Sequence, residues 1–132
     1  MLTKFNVDLD PESEVIVTLG SKEGLANLAS AITSIGDQVI VPNPSYPIHP
    51  YGFIIAGASV LSIDSLPDEK FIKNLYAILS SSNNKAKALV LNYPNNPTTS
   101  MATLDFFSEI VDICIKYEVY ILLDIAYAEI YF

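Results

Sequence analysis

Two rhythms of hydrophobic and polar positions alternate along this chain. Short apolar runs rich in Val, Ile and Leu read as buried strands, and stretches whose apolar residues recur every three or four positions read as amphipathic helices. Strands are predicted over residues 14–19, 38–41, 58–63, 86–91 and 119–123. Helices are predicted over 22–35, 47–56, 68–79 and 103–117; in the first of them Leu25, Leu28, Ala29 and Ile32 share one face. Polar or proline-rich breaks separate them: Gly36-Asp37, residues 42–47, 80–85 and 92–100. Pro47 and Pro50 fall in the first turn of their helix, where a missing N–H is harmless. Strictly alternating strands and helices predict an α/β fold: three layers, a mostly parallel sheet with flanking helices. No repeat or low-complexity linker divides residues 1–132 into more than one domain.

Composition sharpens this picture. The chain is 51% hydrophobic, which excludes disorder as its designed state. Its mean hydropathy of +0.36 is apolar for a soluble protein, as if part of the surface should be covered by something else. No uncharged run approaches the roughly 18 residues that span a bilayer, and the polar, acidic start carries no signal segment. No membrane association and a cytoplasmic location are expected. A net charge of −8 leaves no phosphate-neutralising patch, which excludes nucleic acid as a partner. All seven basic residues are lysines, so no arginine is present for bidentate recognition of a carboxylate. Cys114, the single cysteine, lies on an apolar helical stripe and reads as a small core residue. His49, the single histidine, has no metal-ligand cluster around it and reads as structural or surface. No metal site and no Ser-His-Asp or Cys-His arrangement is supported.

Three segments follow the carboxyl ends of predicted strands, where open parallel sheets bind their ligands. Tyr46, Asn96, Asp124 and Tyr127 are therefore candidates for one crevice. Tyr46 sits in the stiff Pro44-Ser45-Tyr46-Pro47 loop, either to stack on a flat ligand or to pack on the sheet edge. Asn92-Tyr93-Pro94-Asn95-Asn96-Pro97-Thr98 specifies a rigid turn with aimed amides, or an Asx-turn without a ligand. Asp124 ends a buried strand, and a carboxylate there needs a partner. A protonated ring nitrogen could be that partner, with the Tyr127 phenol on a ring oxygen. Helix capping is the other reading of Asp124. Gly20-Ser21-Lys22-Glu23-Gly24 places a hydroxyl, a lysine and free N–H groups at a helix start, which suits a phosphate or is simply a cap.

In this order these segments resemble the class I/II aminotransferases, pyridoxal-phosphate enzymes of the aspartate aminotransferase fold. Gly20-Ser21-Lys22-Glu23-Gly24-Leu25-Ala26 and Asn43-Pro44-Ser45-Tyr46-Pro47-Ile48 look most like the alanine aminotransferase-like branch, near the diaminopimelate aminotransferases. The resemblance implies a partial large domain of the fold-type I transferases. It implies pyridoxal 5′-phosphate as cofactor, with Ser21 and Lys22 in the phosphate cup and Tyr46 stacking on the pyridine ring. Asn96 and Tyr127 would donate to the ring oxygen, and Asp124 would pair with the ring nitrogen. It implies a small-molecule amino acid, alanine-like or aspartate-like, and a 2-oxo acid as substrates. The family's Schiff-base lysine follows the segment matching Tyr127 and is not found in these residues, so no catalytic residue is assigned and the chain alone is expected to be inactive. Thr99 stands where many members have glycine. Two later strands of the family sheet would lie between the 14–19 strand and the strand ending at Asp124, so the edges of the 14–19 strand are expected to stand open. Homo-oligomers, or association through those edges, are expected. The alternative is a non-catalytic or relic α/β module that self-associates or pairs with a second chain.

Overall fold

A computed structural model of the chain describes residues 6–81 and 86–130. In chain order the elements are α1 (Ser21–Ile32), β1 (Gln38–Asn43), α2 (Ile48–Ile55), β2 (Ser59–Asp64), α3 (Glu69–Leu79), β3 (Ala86–Asn92), α4 (Leu104–Lys116) and β4 (Tyr120–Asp124). The expected loop over 80–85 lies partly outside the described residues. The four strands form one parallel sheet in the order β2-β1-β3-β4. Each successive pair is joined by a helix, as parallel strands require.

That order sets the layers. The chain steps from β1 to β2 in one direction, then returns past β1 to β3 and continues to β4. Parallel crossovers share one hand, so reversing the direction of travel moves the connecting helix to the other face. Phe53 of α2 and Ala29 of α1 accordingly pack with Val39, Val41, Ala88 and Val90 on one face. On the other face, Phe71, Leu75 and Leu79 of α3 and Ile110 of α4 pack with Ile40, Leu89 and Leu91. Odd and even strand positions thus feed separate cores. The inner strands β1 and β3 are buried on both sides and read as continuous apolar runs, whereas β2 and β4 at the edges are half open.

Helix boundaries follow local chemistry. The Asp68 carboxylate accepts the Phe71 N–H at 2.9 Å and starts α3; the Thr103 hydroxyl accepts the Phe106 N–H at 3.2 Å and starts α4. The first helix ends at Ile32, earlier than its pattern predicts. Thr33 turns extended and its hydroxyl donates to the Ala29 carbonyl at 2.6 Å, while Ser34 and Asp37 close a turn on each other. Cys114 is buried as expected, and burial pushes its thiol up to about 11.

One predicted strand does not form. Residues 15–18 are irregular, and Val17 and Leu19 are each 91% exposed. Apolar character makes a segment able to pair but does not make a ladder; among the described residues no strand lies beside it to accept its N–H groups. Its hold is local: Thr18 packs against Gly24, and the Leu19 N–H donates to the Glu23 carboxylate.

Two helices end in the same way with different residues. After α2, the Gly57 N–H reaches the Ile54 carbonyl and the Ala58 N–H that of Phe53, with Gly57 at φ 93. After α4, the Glu118 N–H reaches Ile115 and the Val119 N–H reaches Cys114, with Glu118 at φ 55. This left-handed residue is ordinarily glycine, because a Cβ there costs roughly 1–2 kcal/mol. Glycine's extra freedom in the unfolded chain returns roughly 0.5–1 kcal/mol of that. Glu118→Gly is therefore predicted to raise stability by roughly 0.5–1 kcal/mol, read as a higher midpoint in urea denaturation.

Candidate functional site

The reversal of direction between β1 and β3 opens a crevice at their carboxyl ends, because the loops leaving them diverge. The loop after β1 carries Tyr46, the loop after β3 carries Asn96, and β4 ends beside them at Asp124. Asn92 and Asp124 are the last register pair of β3 and β4. By strand periodicity Asp124 lies on the face of Leu122, which packs toward the α1–α2 side.

That face brings it to His49, the second residue of α2. His49 Nε2 lies 3.0 Å from Asp124 Oδ2, and the two side chains are 1% and 8% exposed. A carboxylate only accepts, so Nε2–H donates. His49 Nδ1 is buried, with no hydrogen-bond partner among the described residues. Asp124 Oδ1 accepts the Ala126 N–H at 3.2 Å, which turns the chain sharply after the strand. The carboxylate retains lone pairs for one further donor.

Three residues on, Tyr127 meets the β3 loop: the Asn96 side-chain amide donates to the Tyr127 hydroxyl at 2.9 Å. Asn92 and Asn95, 3% and 4% exposed, are buried beneath this contact. The Asn95 carboxamide oxygen accepts the Thr98 N–H at 3.1 Å and the Thr98 hydroxyl at 2.7 Å, and its amide donates to the Asn92 carbonyl at 3.2 Å. Thr99 follows at φ 60, left-handed and thus a conformation suited to glycine. A cleft of about 360 Å³ opens here, with Asn96, Pro97, Thr99 and Tyr127 in its wall.

Tyr46 sets its ring edge-on to His49, with centroids 6.1 Å apart. It also meets Lys22, whose ammonium stands 5.3 Å from the ring centroid. The Tyr46 phenol beside Lys22 raises the ammonium above the ordinary lysine value. Lys22, Tyr46 and Tyr51 line a second hollow of about 320 Å³. Ser21 is the exposed first residue of α1, where the helix N–H groups are free.

The arrangement is a shielded carboxylate with a histidine behind it, an amide–phenol pair, a fixed aromatic ring and a lysine at a helix start. A family model described as aminotransferase class I and II matches residues 1–132. The chain belongs to the class I and II aminotransferases. It is 50% identical over 129 residues to the AatC protein of Rhizobium meliloti (strain 1021), covering 98% of this chain and 32% of that protein. It is 46% identical over 127 residues to the glutamate-pyruvate aminotransferase AlaC of Escherichia coli (strain K12), covering 96% and 31%. The aspartate aminotransferase of Thermus thermophilus, solved with maleate, superposes with a TM-score of 0.72 at 33% identity, over 83% of this chain and 28% of that one. The chain thus spans about a third of the length of the curated relatives it matches.

Within this aminotransferase chain the structure joins the sequence candidates in two direct contacts, Asn96 with Tyr127 and Tyr46 with Lys22, and places Ser21 next to Lys22. Asp124 caps no helix; its carboxylate meets His49 and the N–H of Ala126 in its own turn. Of the two readings of His49, structural or surface, the buried one holds, and its partner is the site carboxylate. It stands 75 residues from Asp124 in sequence. The available signal was its position three residues after Tyr46, which puts both on one face of a helix start. Removing one partner of a buried pair leaves the other uncompensated, at a cost of about 3 kcal/mol or more. His49→Leu is therefore predicted to lower stability by about 3 kcal/mol in urea denaturation. His49→Leu combined with Asp124→Leu should recover part of that loss.

Proposed function

We propose that these residues are the cofactor-holding part of a pyridoxal-phosphate aminotransferase that moves an amino group between an alanine-like or aspartate-like amino acid and a 2-oxo acid. The observation that carries this reading is the juxtaposition of the His49–Asp124 pair with the Asn96–Tyr127 pair at one sheet crevice. The donor set fits the group. Asp124 has lone pairs free for a cationic ring N–H, and the Asn96 amide keeps a second N–H beside the Tyr127 hydroxyl for a ring oxygen. Tyr46 offers a fixed aromatic face, and Ser21, Lys22 and the start of α1 offer donors and positive charge to a phosphate.

When bound, pyridoxal phosphate supplies a carbonyl carbon and an electron-withdrawing ring for amino-group exchange. The chain's own part is to tune and hold. Asp124 keeps a proton on the ring nitrogen, because an anionic carboxylate favours the charged form of its neighbour. His49 fixes that carboxylate in direction, and burial of the pair keeps water from competing for it. Asn96 and Tyr127 orient the ring within its plane.

On this reading the described residues hold the cofactor without turning it over. Among the described lysines only Lys22 stands beside the crevice, and it is engaged on Tyr46. Lys70 and Lys73 pair with Asp64 and Glu69, and Lys116 lies over Tyr76 and Tyr117. Purified chain mixed with pyridoxal 5′-phosphate should give saturable binding by absorbance but no lysine trapped by borohydride. Stoichiometric trapping at one lysine, with half-transamination of alanine, would overturn the inactive reading, and absence of binding would overturn the cofactor-holding one.

A second reading draws on the exposed apolar residues. Ile16, Val17 and Leu19 are 86–91% exposed, and among the described residues β4 has one unpaired edge. They favour a module that self-associates or pairs with a second chain. Size-exclusion chromatography should then show concentration-dependent oligomers that shrink when Ile16, Val17 and Leu19 are changed to Ser; a monomer at every concentration would remove this reading.

A further inference from the structure

We propose that Asn92 is a positioning residue that locks the Asp124 end of β4 and the Asn96 turn into one frame. The inference rests on the cofactor-holding reading for its purpose, and on four contacts for its geometry. Asn92 ends β3 and is 3% exposed. Its side-chain amide donates to the Asp124 carbonyl at 2.9 Å, and its side-chain oxygen accepts the Asn96 N–H at 3.0 Å. Asn96 in turn donates to Tyr127 at 2.9 Å, and three residues of chain return from Tyr127 to Asp124. The links form a closed circuit: Asn92 to Asp124, along the chain to Tyr127, across to Asn96, and back to Asn92. The Asn95 amide, donating to the Asn92 carbonyl at 3.2 Å, braces the corner.

A circuit holds distances that an open chain of contacts does not. Opening it at Asn92 leaves the Asn96–Tyr127 pair tethered on one side only, and the amide pair can then drift relative to the carboxylate. Misplacement on that scale is costly where two groups must meet one rigid ring at once. The residue type is demanding. Both links need one donor and one acceptor on a short planar group: Asp lacks the donor, Ser has one oxygen to serve both, and Leu has neither.

The test pairs Asn92→Asp, which keeps shape and acceptor but sets a second oxygen against the Asp124 carbonyl, with the near-isosteric Asn92→Leu, which loses both links. Leu79→Ala, a core truncation on the opposite face of the sheet, serves as the control for lost stability alone. Affinity for pyridoxal 5′-phosphate by equilibrium dialysis should fall about tenfold in Asn92→Asp and further in Asn92→Leu, as expected for loss of a buried hydrogen bond. It should stay unchanged in Leu79→Ala, whose urea midpoint falls. In the ligand-free chain, hydrogen exchange at the Asn96 N–H should stay slow in Asn92→Asp. In Asn92→Leu it should accelerate at least about tenfold, and the NMR contact between the Asn96 amide and the Tyr127 ring should weaken. Unchanged exchange and an unchanged Asn96–Tyr127 contact in Asn92→Leu would overturn the proposal, as would wild-type affinity in both variants. Failure of the wild-type chain to bind the cofactor would count against the functional reading; the exchange and contact measurements, made without ligand, still decide whether Asn92 holds the frame.

Discussion

A carboxylate withdrawn from water must be met by a donor, and the geometry of this molecule is arranged around that requirement at Asp124. The apolar strand that delivers Asp124 leaves its side chain facing the first residues of α2. His49 meets it there at 3.0 Å, almost wholly buried. The pairing ties the β4 edge of the sheet to the helix that follows β1, and it presents an oriented carboxylate at the mouth of the crevice. Tyr46 packs edge-on against the same histidine, so the aromatic ring and the carboxylate are aligned by one side chain.

The crevice exists because of strand order. Had the chain stepped steadily in one direction, every loop at the carboxyl ends would lean the same way. The reversal between β1 and β3 parts two loops, both stiffened by proline, and β4 completes the third wall. Helices on opposite faces then come with the handedness of the crossovers. None of the described helices is long and apolar enough to cross a membrane, and no metal-binding cluster occurs among the described residues. Among the described lysines, Lys22 is the one that stands over Tyr46.

Much of this was legible along the chain. The periodicities of β1 and β3 named their strands because central parallel strands are apolar throughout. The capped starts of α3 and α4 were close to their observed positions because Asp68 and Thr103 act on the next turn alone. Tyr46, Asn96, Asp124 and Tyr127 could be grouped because each follows a strand's carboxyl end. These are short-range properties, carried by neighbours within a few residues. The 14–19 segment shows the limit of such reasoning: Val15, Ile16 and Val17 have every local attribute of a strand, yet pairing belongs to two segments, and nothing in one of them creates the other.

The same distinction separates what composition and order established here from what folding added. Local pattern and motif order established an α/β chain of the aminotransferase kind, with a carboxylate, an amide, a phenol and a lysine at loop ends. The folded chain added the partners: His49 behind Asp124 and Asn92 beneath Asn96, which no periodicity distinguishes from surface or turn residues. The physical reason is that a hydrogen bond between residues 32 or 75 positions apart is a property of strand register and helix placement. Register is set by the whole sheet at once, through the burial of two alternating faces, and no single segment contains it.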